Sequence, residues 1–534
     1  MKVCTRKNAF LGSKNIEMRR SSSIRSSDVT GWTAISNEPM SAVLSTDMSR
    51  YRRRSRIICA LGPSSRSVPV LVDMLQAGMN VARLNFSHGD HAYHLETLIN
   101  LREAVKIRVD AGHNCHCAVL LDTKGPEIRT GLLKELSVTL VTGQELEITT
   151  DYTVIGDNSI IACSYLELCE SVQVGGTILI ADGSITCVVK SIGSNSIIVR
   201  VENTCVLEER KNMNLPGVVI RLPGITEKDK YDIEHFAVKY DVDIVSGSFI
   251  RTAANVQAIR DCLKGRPIRV HAKIESVEAL CNIDEIISAA DGVHVSRGDL
   301  GMELSLSKLF LAQKAVIHLA NLAGKPVVTS TQMLESMTKR PRPTNAECSD
   351  VANAILDGSD CLMLSGETAK GLYPVESIQT MSRIMSEAER VIDYDGHFQS
   401  IRNRVLLRSK NVSIMEALAS SAVETSMDLD APLIVVFSYT GQLARLVAKY
   451  RPLSRIMVIT SNASTARQMS VSRGVLPKLY VDNDFGPIVE YAKQRGWVLE
   501  GERVVRVGSL LDLDPAIPLD LENMSNYADI VIVD

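Results

Sequence analysis

From about Arg53 onward the sequence alternates short β-rich runs with longer amphipathic stretches, and the runs number eight. They are IICAL (57–61), VARLNF (81–86), CAVLL (117–121), VDIVS (242–246), IRVHAK (268–273), GVHVS (292–296), PVVTS (326–330) and CLMLS (361–365). Each is bounded by turn or polar residues, and most are followed by a helical pattern. Residues 304–322, for example, set Leu304, Leu311, Ala315 and Ile317 along a mainly apolar face. Eight strand–helix alternations predict a closed parallel (β/α)8 TIM barrel.

The third run breaks the rhythm. Residues 127–222 are rich in Val, Ile and Thr, with turns such as Val174-Gly175-Gly176, and no helix follows promptly. They predict a small β-barrel domain inserted after the third strand, re-entering at Asn214-Leu215-Pro216-Gly217. After about residue 392 a second α/β pattern begins, with strands expected at 433–437, 456–460, 475–481, 503–508 and 529–533 and helices at 413–427 and 486–495. A chain of 534 residues is too long for one ordinary core. The expected organisation is an extension over 1–50, a catalytic barrel over 51–126 and 223–392, the inserted lid over 127–222 and a C-terminal open α/β domain over 393–534.

Composition narrows the classes of function. A net charge of −3 and 4% aromatic residues offer nucleic acid neither a field nor a stacking surface. No apolar run reaches the roughly 18 residues that a membrane span needs. The twelve cysteines are scattered, without a Cys-x-x-Cys pair, and read as reduced thiols of an intracellular protein. His113, Cys115, His116 and Cys117 sit too close together for the usual zinc spacing and run into an apolar strand. Residues 1–27 carry seven basic residues against one acid, Glu17, among many serines. This composition fits a solvated tail, and also an organelle transit segment. A cytoplasmic protein is the expectation, with an organelle as the alternative.

A TIM barrel keeps its active site at the C-terminal ends of its strands. Here all eight ends are polar: Gly62-Pro63-Ser64; Arg83, Asn85, Ser87 and His88; Asp122, Thr123, Lys124, Glu127 and Arg129; Ser248 and Arg251; Lys273 and Glu275; Arg297, Gly298 and Asp299; Thr331 and Gln332; Ser365, Gly366 and Glu367. Period-two alternation sends Lys273 and Glu275 to one side of their strand, with Ile274 opposite. Such a pair can be a plain ion pair. It can also be half of a metal site, in which Glu275 and Asp299 bind Mg²⁺ or Mn²⁺ and Lys273 faces a phosphoryl group. Glycines around Asp299 would let backbone N–H groups approach an anion, and Thr331 lies at the next strand end. Asn85, Ser87, Asp122 and Thr123 supply one carboxylate with neutral oxygens, a set suited to a monovalent cation.

These segments resemble the pyruvate kinase family. The resemblance rests on LNFSHG (84–89), LDTKGPEIRTG (121–131), NLPG (214–217), AKIE (272–275), SRGDLGME (296–303), TQMLESM (331–337), RPTNAE (342–347) and LSGETAKG (364–371). It is close over about residues 53–392 and looser beyond. The insert, with ADGSI (181–185) and ENTCVLEERKNMNLPG (202–217), looks most like the plant-type cytosolic branch. The family's reaction is reversible phosphoryl transfer between phosphoenolpyruvate and ADP, giving pyruvate and ATP, the last step of glycolysis.

The resemblance implies roles residue by residue. Glu275 and Asp299 would bind Mg²⁺ (or Mn²⁺), and Lys273 and Arg83 would stabilise the transferring phosphoryl group. The N–H groups near Gly298 and Asp299, with the Thr331 hydroxyl, would hold the substrate carboxylate. Thr331 would also lie on the route by which enolpyruvate is protonated. Asn85, Ser87, Asp122 and Thr123 match the family's K⁺ ligands, and Glu127 matches a residue of its K⁺-dependent members. Pro63, Asn85, His88, Arg129 and Arg210 fall at nucleotide-contacting positions, Arg210 in place of a common Lys. There is no GxxxxGK[ST] motif, so the nucleotide is held in another way, and the lid is placed to close over it. A homotetramer is the family's usual assembly.

The family's effector loop, Thr-x-Ser-Gly-Arg-Ser in animal and yeast members, here reads Ser438-Tyr439-Thr440-Gly441-Gln442-Leu443, and 508–520 lack a Trp-Arg loop. The expected effector at Ser438, Thr440 and Gly441 is therefore a sugar phosphate other than fructose 1,6-bisphosphate, or none. Two other readings share part of the pattern. A metal-dependent barrel lyase or aldolase would use the carboxylate pair without needing the insert or Arg129. An inactive interaction protein would not need every matched position filled.

Overall fold

The computed structural model describes residues 53–408, 411–480, 485–512 and 526–533. The N-terminal extension lies outside the described residues, as do 513–525 of the C-terminal region.

Strands β1 (Arg56–Ala60), β2 (Val81–Asn85) and β3 (Ala118–Asp122) lead into the insert, whose strands are β4 (Ser137–Leu140), β5 (Glu145–Thr149), β6 (Ile160–Ala162), β7 (Thr177–Ile180), β8 (Ile185–Ile192), β9 (Ser196–Val201), β10 (Cys205–Glu208) and β11 (Met213–Asn214). The chain returns with β12 (Ile244–Gly247), β13 (Arg269–Ile274), β14 (Gly292–Ser296), β15 (Val327–Ser330) and β16 (Cys361–Leu364). β1–β3 and β12–β16 close into one parallel barrel, with β3 beside β12 and β16 beside β1. The runs are continuous rather than alternating in polarity because barrel strands are buried on both faces. Val293 and Val295 face the helices, while the lumen floor is filled by Leu120, Ile244, Val328 and Met363.

The helix after β14 departs from the expected pattern. A short helix, α1 (Arg297–Glu303), comes first, and Leu304 caps it; the long helix, α2, spans Leu306–Ala323. Its buried stripe runs through Gln313, Val316, Ile317 and Ala320, whereas Leu306, Phe310 and Leu311 are 76%, 54% and 55% exposed. α2 is apolar most of the way round, so periodicity alone could not say which stripe turns inward.

The insert builds one core from a six-stranded sheet, β11-β7-β8-β9-β5-β6, a β4–β10 ribbon and isolated bridges such as Arg129–Asn212. Its entering and leaving segments are stitched together, Met213 N–H donating to the Ile128 carbonyl and Thr130 N–H to Lys211. Beyond the barrel, β17 (Leu433–Phe437), β18 (Arg455–Thr460), β19 (Val475–Leu479), β20 (Arg503–Gly508) and β21 (Tyr527–Ile532) form a sheet of order 19-18-17-20-21, parallel except for its β21 edge. The His113–Cys117 segment is a docking loop: Asn114 donates to the Pro477 carbonyl and the His116 carbonyl accepts from Ser470. Among the described residues the cysteines are free, no group of three or more His, Cys, Asp or Glu side chains could hold a metal ion, and no helix is long and apolar enough to cross a membrane.

Candidate active site

Register brings the strand ends together. Asn85 lies opposite Asp122, Asp122 opposite Ser246, and Lys273 opposite His294. Arg83 pairs with Asp122 at 2.6 Å. The Lys273 ammonium lies 2.9 Å from Glu275, 3.4 Å from Asp122 and 2.9 Å from the Ser248 hydroxyl. Burial alone would raise the Asp122 carboxyl, but Lys273 and Arg83 outweigh it and bring it down to about 2. Burial would likewise lower the Lys273 ammonium, and Asp122 and Glu275 hold it above its ordinary value.

The Lys273–Glu275 ion pair therefore exists, but it does not account for the whole cluster. Glu275 is fully buried; its Oε2 accepts the Phe249 N–H at 2.6 Å, while its Oε1 faces the Lys273 ammonium at 2.9 Å. Asp299, on α1, is pressed against it: burial first, and then the Glu275 charge, push the Asp299 carboxyl well above the usual range. Two carboxylates forced together out of water are stable only with a shared proton or a cation between them. Two carboxylates side by side, opening on a cleft, are the oxygen donor set of a hard divalent cation that keeps positions for substrate. The donors present fit Mg²⁺ or Mn²⁺.

Thr331 follows β15 in a strained turn, with φ +76° and Gln332 at +55°. A β-branched residue rarely adopts this region. Arg297 holds the turn, donating to the Thr331 carbonyl at 2.7 Å and pairing with Asp350 at 2.7 Å. A side chain at Gly298 would meet the Thr331 methyl at 2.9 Å, so glycine is required for the close approach. Arg297 and Glu367, counted among the polar strand ends, are thus structural: Glu367 accepts from Ser365 N–H at 2.8 Å and Leu334 N–H at 3.1 Å.

Ser87 and Thr123 adjoin the Asn85–Asp122 pair. Asn85 accepts the Ser87 N–H at 3.2 Å, and Thr123 Oγ1 the Ser248 N–H at 3.0 Å. In the insert, Arg129 pairs with Glu127 and donates to the Arg210 carbonyl at 2.7 Å, so the two arginines are neighbours. His88 lies within the field of Arg129 and Arg83, and burial is the main cause of its lowered basicity. Pro63 sits on the loop after β1, which packs on Ala369. Between the insert and the barrel is a narrow cleft lined by Glu127, Asn212, Phe249, Arg251, Glu275, Asp299 and Glu303.

The Ser438–Leu443 loop leads into helix α3 (Gln442–Lys449), with Gly441 at φ +77°. Sequence reasoning did not single out Asp512, yet its buried carboxylate fills this loop. It accepts from Thr440 N–H at 2.8 Å, Thr440 Oγ1 at 2.6 Å, Leu443 N–H at 3.0 Å and also Ser438 Oγ. No local pattern announces a partner so distant in the sequence.

A closed parallel barrel whose strand ends gather Lys273 and Arg83 against paired carboxylates, beside an inserted β domain, defines a barrel enzyme built to handle an anionic group. Comparison with known proteins places it. The pyruvate kinase barrel-domain model matches residues 52–378, the pyruvate kinase alpha/beta-domain model matches 416–511, and the chain belongs to the pyruvate kinase family. It is 45% identical to pyruvate kinase of Eimeria tenella, covering 90% of each chain. It is 45% identical to the cytosolic isozyme of Nicotiana tabacum (86% of this chain, 95% of that protein) and 44% identical to a human pyruvate kinase (85% and 82%). A solved pyruvate kinase from Cryptosporidium parvum superposes with a TM-score of 0.83 at 43% identity, over 90% of this chain and 96% of that one. These identities are near equal, so they define the family and not one branch. The reaction is phosphoryl transfer between phosphoenolpyruvate and ADP, and the lyase and inactive-protein readings fall away.

Proposed function

We propose that Glu275 and Asp299 hold Mg²⁺ (or Mn²⁺) and that Lys273 and Arg83 carry the phosphoryl transfer. The observation supporting this is the pair of buried carboxyls, Glu275 pressed against Asp299, within a cluster that already contains Lys273 and Arg83. When bound, the divalent cation would supply charge neutralisation for the phosphate and enolate oxygens. Lys273 and Arg83 place two fixed positive charges where phosphoryl charge develops, at no cost of reorganisation during the reaction. The N–H groups at Gly298 and Asp299 and the Thr331 hydroxyl orient the carboxylate, and the strained turn keeps that hydroxyl on the path of the proton to enolpyruvate. Asn85, Ser87, Asp122 and Thr123 form the K⁺ site. Pro63, Asn85, His88, Arg129 and Arg210 hold the nucleotide. A lactate-dehydrogenase-coupled assay with phosphoenolpyruvate and ADP tests the assignment: turnover should require a divalent cation and vanish in Glu275→Gln.

Fructose 1,6-bisphosphate is not the effector in this reading. The Ser438, Thr440 and Leu443 donors that would meet a phosphate are taken by Asp512. A titration with the bisphosphate should leave the saturation curve for phosphoenolpyruvate unchanged, and strong activation would refute the point. The exposed apolar face of α2, with Leu306, Phe310 and Leu311, supports a homotetramer through barrel contacts. The cytosolic relatives support a cytoplasmic location. The plant-type likeness rests on the two insert segments, ADGSI and ENTCVLEERKNMNLPG.

A further inference from the structure

The loop after β12 touches three parts of the site at once. Ser248 accepts from the Lys273 ammonium at 2.9 Å and donates to the Thr123 carbonyl at 2.6 Å. Phe249 gives its N–H to Glu275 at 2.6 Å from a left-handed conformation, φ +54°, that a bulky side chain rarely adopts. Two residues on, Arg251 donates through both terminal nitrogens of its guanidinium, one to the Ile220 carbonyl and one to Leu222. Those carbonyls belong to the segment by which the lid returns to the barrel. The Arg251 backbone is itself pinned on both sides: its N–H reaches Asn255 at 3.0 Å, and its carbonyl accepts from Asn282 at 2.9 Å. The fork therefore has one aim. Carbonyls two residues apart suit a rigid planar fork and not the single point charge of a lysine.

We propose that Arg251 is a positioning residue that couples the seating of the lid's return segment to the orientation of Glu275. With residues 220–222 seated, the fork fixes the loop and Phe249 keeps its N–H on Glu275. With the segment lifted, the strained turn is held only at its ends, by Thr123 on one side and by Asn255 and Asn282 on the other, and the Phe249 N–H is freer to leave Glu275. The inference rests on the reading of Glu275 as a cation ligand and adds a partner that orients it, the kind of support that governs metal affinity.

The test uses the full-length protein and two variants, Arg251→Lys and Arg251→Met. Mn²⁺ binding is followed by electron paramagnetic resonance without substrates, cleavage within 210–223 by limited proteolysis, and kcat and KM by the coupled assay. In both variants Mn²⁺ affinity should fall about tenfold, kcat about tenfold or more, and the return segment should be cut faster. Lysine should rescue none of these. Full rescue by lysine would overturn the proposal, because charge alone would then suffice. A raised KM for ADP with unchanged Mn²⁺ affinity and cleavage would also overturn it, making Arg251 a direct nucleotide contact. If Arg251→Met does not fold, the lysine variant decides alone. Glu275→Gln separates the underlying reading: Mn²⁺ affinity equal to wild type would remove Glu275 as a ligand, while cleavage and kcat would still judge the link from Arg251 to the lid.

Discussion

At the scale of single residues, Lys273 is held by two carboxylates and a hydroxyl, so its position is set before substrate arrives. Removing its charge should leave the fold intact and lower kcat by roughly a thousandfold or more, since electrostatic preorganisation carries most of the work in phosphoryl transfer. Lys273→Met, compared with wild type by circular dichroism and the coupled assay, checks both halves of that expectation. Asp122 makes a prediction about acid. Its carboxyl sits at about 2 in the fold against an ordinary 3.8, so the unfolded state takes up the proton first as pH falls. The stability it contributes, on the order of 2 kcal/mol, is present above about pH 4 and is lost as pH falls towards about 2. Urea unfolding at stepped pH should show this acid limb, and Asp122→Asn should flatten it. Much at this scale was legible in the sequence. Lys273, Glu275, Asp122 and Asp299 stand where alternation and motif spacing put them. Arg297, Glu367 and Asp512 were not legible, because their roles depend on partners far away in the chain, and a charged residue at a strand end looks the same whether it faces substrate or props a turn.

At the scale of elements, the ends of β2 and β3 put Asn85 opposite Asp122, with Ser87 and Thr123 just beyond. If these four form the K⁺ site, potassium salts should support rates at least tenfold above tetramethylammonium salts at equal ionic strength; equal rates would remove the assignment. Strand existence and order were readable because fully buried strands appear as continuous apolar runs between turn residues. The facing of α2 was not readable. Leu304 and Leu311 fit the helical period, but Leu304 belongs to the end of α1 and Leu311 turns outward. Which stripe is buried follows from the elements packed against the helix, which its own sequence does not specify.

At the scale of the whole molecule, that outward face carries its own expectation. If that face joins protomers in a tetramer, Phe310→Glu with Leu311→Glu should give smaller species by sedimentation velocity, with monomer stability little changed because both side chains are already more than half exposed. The lid's placement has a different consequence, one of folding order. β3 must find β12 across the entire insert, and a flexible loop of that length would make closure slow and entropically costly. The insert is not such a loop. It has its own core, and its entering and leaving segments are hydrogen-bonded to each other at Ile128–Met213 and Thr130–Lys211. Once it has folded, the barrel sees a short connection with its ends already side by side. The inserted domain thus acts, during folding, as the splint that brings the third and fourth barrel strands within reach.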